Sequence, residues 1–82
     1  MEEEIFREMG MKHVRDLVEE LDEREKSILK QRYGLDGSDI YTLEEIGKKL
    51  NITRERVRQI EKRTLEKLKF RYTKDLKEGF FN

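Results

Sequence analysis

Cysteine, proline and tryptophan are absent from the 82 residues, and there is a single histidine, His13. Without cysteine there is no disulfide frame and no thiolate metal site, which is in keeping with a reducing cytoplasm. Without proline no helix interior is interrupted, and the abundance of Glu, Lys, Arg and Leu favours helix throughout. The five glycines are scattered, so no phosphate-cradling loop forms. No apolar run approaches the length of a membrane span, and the acidic start MEEE lacks the basic-then-apolar order of a signal peptide. A soluble, cytoplasmic chain without membrane contact is expected.

Hydrophobic residues make up 34% of the chain and charged residues 46%. A single domain of this size buries a modest core, so nearly every apolar position is needed in it. The net charge of zero speaks against a uniformly basic nucleic-acid binder, yet its distribution is uneven. Residues 1 to 30 carry six Lys or Arg against ten Asp or Glu, and residues 51 to 82 carry ten against five. Phosphate contact would therefore belong to the second half.

Catalytic constellations are missing. No Asp, Ser or Cys arrangement completes a triad around His13, which reads as a solvated histidine on a polar flank. The glutamates at 2 to 4, 19, 20, 23 and 25 follow no calcium-loop spacing and read as solvated faces and helix-start charges. Neither an enzyme nor a cofactor or metal site is expected.

Along the chain, residues 1 to 20 read as helix, with Ile5, Phe6 and Met9 on one stripe and Val14, Leu17, Val18 and Leu21 on another. Gly10 lies between the stripes and breaks or bends the helix, since an interior glycine costs about 1 kcal/mol relative to alanine. Asp22 can cap a second helix, with Glu25 as its box partner, Ile28, Leu29 and Tyr33 facing inward, and Gly34 at its end. Gly34 to Tyr41, with Gly37, Ser38 and Asp39, has loop composition.

The most structured stretch is YTLEEIGKKLNITRERVRQIEKRTLEKLK, Tyr41 to Lys69. Thr42 and Glu45 form a capping box, and Leu43, Ile46 and Leu50 share one face. Gly47 on that helix lets a second helix cross closely; a larger side chain there should force the two apart, with alanine the milder change. Asn51 tolerates a left-handed break, Ile52 plugs the turn, and Thr53 caps the next helix. In that helix Val57, Ile60, Thr64 and Leu68 face inward, and Arg54, Glu55, Arg58, Gln59, Lys62 and Arg63 share the outer side. An isolated charged helix would show such a face as mere solvation; the capped helix, the glycine and the asparagine turn before it are what a helix-turn-helix requires. After Lys69 the pattern loosens: Phe70, Tyr72, Leu76, Phe80 and Phe81 alternate with charges. This segment reads as a short helix folding back or a frayed tail, in preference to a surface for stacking on single-stranded nucleic acid.

The string TLEEIGKKLNITRERVRQIEKRTLEKLK resembles the helix-turn-helix of the fourth conserved region of bacterial primary-type sigma factors, and LDEREKSILKQRYGLDG resembles the first half of that region. The resemblance covers Leu21 to Lys69. It implies an all-α fold of four to five helices ending in a helix-turn-helix, with residues 1–20 as linker tail and first helix, 21–69 as the core (42–69 the helix-turn-helix) and 70–82 as a C-terminal tail. By the same resemblance the chain is expected to be a segment of a longer protein. Its implied function is binding of the −35 promoter element within RNA polymerase holoenzyme. Arg54, Glu55 and Gln59 are then expected at base edges, where Arg suits guanine, Glu the cytosine amino group and Gln adenine. Arg58 and Lys62 fall to phosphate, and Arg24, Arg32, Thr42 and Leu43 to the DNA backbone. Docking on the β-subunit flap is implied through apolar residues of the first two helices, with Tyr33 and Arg63 as partner-binding candidates. Two other readings remain: a free-standing helix-turn-helix regulator, which needs a dimer surface not visible here, and an interaction module held by an anti-sigma factor or activator.

Overall fold

The computed structural model describes residues 3–35, 37 and 39–79, with side chains from Phe6 onward. The side chains of Glu2 to Ile5, together with Ser38, Phe80 and Phe81, lie outside the described residues. Five helices follow one another: α1 (Glu3–Met9), α2 (Met11–Glu19), α3 (Glu23–Tyr33), α4 (Leu43–Leu50) and α5 (Arg54–Glu78). No strand occurs among the described residues.

The breaks follow local chemistry. Gly10 takes φ 82 and ψ 149, a conformation closed to side chains, so the first helical stretch is cut in two and not merely bent. Asp22 accepts the Glu25 N–H at 2.8 Å and starts α3. Glu25 does not return the favour as a box partner: its carboxylate crosses to α5, accepting from Lys67 Nζ at 2.6 Å and from Thr64 Oγ1 at 3.4 Å. At α4 the box closes in both directions, Glu45 N to Thr42 Oγ1 at 3.1 Å and Thr42 N to Glu45 Oε1 at 2.9 Å. Asn51 ends α4 at φ 59, left-handed as its residue type allows. Thr53 then caps α5 by accepting the Arg56 N–H at 3.0 Å.

Packing divides into two clusters that share α3 and α5. The first joins Met9, Val14, Leu17 and Val18 of α1 and α2 to Leu29, Leu35, Leu65 and Leu68. The second, smaller one joins Ile28, Ile46, Val57 and Ile60, with Leu43, Leu50 and Ile52 against it. The second cluster is the crossing of α4 and α5, and it aims the outer face of α5.

At Gly47 an ideal Cβ would meet the Ile52 carbonyl oxygen at 2.7 Å, so even alanine is crowded there. Two expectations change. His13 is not solvated: its Nε2 lies 3.5 Å from Asp75 Oδ2, and its ring meets the Tyr72 ring edge-on at 5.7 Å. Residues 70–78 neither fold back nor fray; they extend α5 by more than two turns, with Tyr72 Oη donating to the Glu8 carbonyl at 3.2 Å.

Candidate nucleic-acid interface

A helix advances 100° per residue, and α5 obeys the pattern strictly over its first four turns. Val57, Ile60, Glu61, Thr64 and Leu65 are buried, while Arg54, Glu55, Arg58, Gln59, Lys62 and Arg63 are all exposed. The six expected outer residues therefore stand on one side. Two are already paired in the free protein: Arg58 Nε donates to both Glu55 oxygens, the longer contact at 3.2 Å. Gln59 Oε1 lies 3.5 Å from Arg56 Nη1.

Shallow clefts run beside this face. One is lined by Arg32, Thr42, Leu43, Glu44 and Arg54, where the end of α3 and the starts of α4 and α5 converge. Three of the four residues expected at the DNA backbone are thus gathered beside an expected base-reading residue. Arg24 is not among them. It lies across α5 in a second cleft with Asp22, Glu25, Arg56, Ile60, Arg63 and Lys67. Thr42 presents its own polar atoms to Glu45, whose carboxyl is held below its ordinary value chiefly by the Thr42 backbone N–H. Arg32 sits with its Nε 3.0 Å from Glu61 Oε2.

Of the partner-binding candidates, Arg63 is exposed and touches two clefts. Tyr33 is half-buried, its ring edge-to-face with Phe6 at 4.9 Å. The residues overlooked from sequence are Arg56 and Lys67, which with Arg63 form a stripe at spacings of seven and four that periodicity alone could have revealed, and Glu61, which stands four residues after Val57 on the inward stripe but carries a charge. Among the described residues no group of three or more His, Asp or Glu could hold a metal ion, and no helix is long and apolar enough to cross a membrane.

Comparison with known proteins bears on this arrangement. The family model described as Sigma-70, region 4 matches residues 17–69. The sigma factor RpoD of Helicobacter pylori is 48% identical over 66 residues, which is 79% of this chain and 10% of that protein. The sigma factor SigA of Microcystis aeruginosa is 43% identical over 68 residues, 83% of this chain and 16% of that protein. A Bacillus SigA is 45% identical over 62 residues, 76% and 16% respectively. The chain thus spans only a small part of the length of the relatives it matches. With the capped α4, the left-handed turn at Asn51 and the start of α5 all inside the matched residues, the chain belongs to the sigma-70 region 4 family.

Proposed function

We propose that this chain binds the −35 element of bacterial promoters, with α5 entering the major groove N-terminus first, as part of RNA polymerase holoenzyme. The observation that carries the reading is the convergence of Arg32, Thr42, Leu43 and Arg54 on one cleft at the leading end of a helix whose exposed side bears Glu55, Arg58, Gln59 and Lys62. A helix-turn-helix uses such an end to reach base edges while the preceding helix crosses the backbone. On this reading Arg54, Glu55 and Gln59 meet bases, and Arg24, Arg32, Thr42, Leu43, Arg58 and Lys62 meet phosphate and sugar. Residues 1–20 would be the end of a linker, 21–69 the DNA-binding core and 70–82 a tail. The domain would dock on the β flap, with Tyr33 and Arg63 toward protein partners, an anti-sigma factor or activator among them. Its place of action is the cytoplasm, and it performs no catalysis of its own.

Binding-site selection with Gln59→Ala tests the reading. The variant is expected to lose preference at one position of the hexamer, at about 1–3 kcal/mol per lost bidentate contact, and to keep the others. Unchanged preference at every position would count against a base contact by Gln59.

A further inference from the structure

We infer that Glu61 is a positioning residue for DNA binding, holding the Arg32 guanidinium where it meets a phosphate without touching DNA itself. The inference rests on the DNA-binding reading above and adds to it a residue on the inner side of the recognition helix. Arg32 Nε lies 3.0 Å from Glu61 Oε2, with the glutamate side chain 8% exposed and the arginine 34%. The pair therefore straddles the surface, carboxylate inside and guanidinium at the boundary. Arg32 also lines the cleft formed with Thr42, Leu43, Glu44 and Arg54.

The contact is one of charge: a buried carboxylate 3.0 Å from Nε anchors the guanidinium and leaves its Nη groups for a second anion. An arginine held in this way has already lost the rotamer freedom that a phosphate contact would otherwise remove. Stability gives little reason for a carboxylate at this place. A buried ion pair is a weak stabiliser because desolvating both charges offsets their attraction, and Glu61 sits among Ile60, Thr64 and Leu65 on the buried side of α5. What the pair does supply is registration. Glu61 stands on the helix that carries Arg54, Glu55 and Gln59, whereas Arg32 stands on α3. The ion pair ties the backbone anchor to the base-reading helix.

The test is the salt dependence of binding to a duplex carrying the −35 hexamer, for the parent, Arg32→Ala, Glu61→Asp and the double variant. Glu61→Asp conserves net charge and withdraws the carboxylate by one methylene. Arg32→Ala is expected to lower the salt slope by about one unit, the loss of one phosphate contact. Glu61→Asp should lower it by the same amount, and the double variant should lose no more than either single one. A folded Glu61→Asp protein with the parent slope, or additive losses in the double variant, overturns the inference. Glu61→Gln serves if the aspartate variant does not fold. At nearly constant size it removes the charge that holds Arg32, so the slope should fall as in Arg32→Ala; a parent slope, or a steeper one showing that Glu61 merely neutralises Arg32, overturns the inference too. Failure of the parent to bind the duplex would instead overturn the DNA-binding reading, and this inference with it.

Discussion

At Gly47 an ideal Cβ would stand 2.7 Å from the Ile52 carbonyl oxygen and 3.4 Å from both Thr53 C and Arg54 N, so the obstacle to any side chain is the backbone of the turn. The same turn is stitched by the Ile52 N–H donating to the Gly47 carbonyl at 2.9 Å. Backbone cannot swing aside as a side chain can. Gly47→Ala is therefore expected to destabilise by about 1–3 kcal/mol through overpacking, only partly offset by the roughly 1 kcal/mol by which alanine favours helix over glycine. Gly47→Leu should cost more, and both should weaken DNA binding although neither touches DNA. Thermal melts decide: an alanine variant melting at or above the parent would mean that α4 and α5 do not cross so closely. Other residues were harder to place. Sequence spacing located Val57, Ile60, Thr64 and Leu68 correctly, since apolar periodicity is a property of one helix. Glu61 and Asp75 fall on the same inward stripe, but the cations that meet them come from α3 and α2, Arg32 and His13, and a partner from another element leaves no trace in a helix's own period. The Glu55–Arg58 pair, by contrast, is local and exposed; pairs of this kind contribute only a few tenths of a kcal/mol, so DNA can exchange either member's contacts at little cost.

Helix by helix, the capping chemistry was legible at α4 and only half so at α3. Both begin with a side chain accepting an N–H three residues on, but Glu45 returns to Thr42 whereas Glu25 is drawn to Lys67 and Thr64. The caps bear on acid stability. The Glu25 backbone N–H holds the Asp22 carboxyl below its ordinary value of 3.8, and the Thr42 backbone N–H holds Glu45 below 4.5. A carboxyl depressed on folding contributes stability that is complete above the ordinary value and lost as pH falls through the depressed one. Urea unfolding should therefore show stability level above pH 4.5 and declining below it. Glu45→Gln should decline less steeply in that range, and a variant tracking the parent throughout would remove the capping carboxylate from the account. The extension of α5 past Lys69 was not legible, because Phe70, 73% exposed, and Leu76, 51% exposed, break the apolar stripe. Inside that stretch Tyr72 packs against the first apolar cluster, and polar contacts add to it: Arg71 Nε to Asp75 Oδ1 at 3.1 Å, Asp75 to His13, and Tyr72 to Glu8.

Over the whole molecule, which measures 40 × 23 × 23 Å, these polar contacts join the two ends of the sequence. Arg71 reaches Glu20 at 3.3 Å as well as Asp75, and the Asp75 carboxylate is the first cause holding the Arg71 guanidinium above its ordinary value. Asp75→Ala removes a partner that His13 and Arg71 share. It is expected to cost about 1–3 kcal/mol, the range for unmaking a buried polar contact, and to speed amide exchange in α2 before it affects α4. Exchange rising first at α4 would place Asp75 in the wrong half of the molecule. Both apolar clusters hang on α5, one on its first turns through Val57 and Ile60 and the other on its middle through Leu65 and Leu68, and the helix has no proline or glycine from Arg54 to Glu78 at which to flex. Twenty-five residues make a bar about 37 Å long. Tilted by about 5° about its far end, such a bar displaces its leading end by about 3 Å, close to the rise of one base pair. On the proposed DNA-binding reading, whatever resets the tilt of α5 at residues 70–78 moves Arg54 by about one nucleotide step.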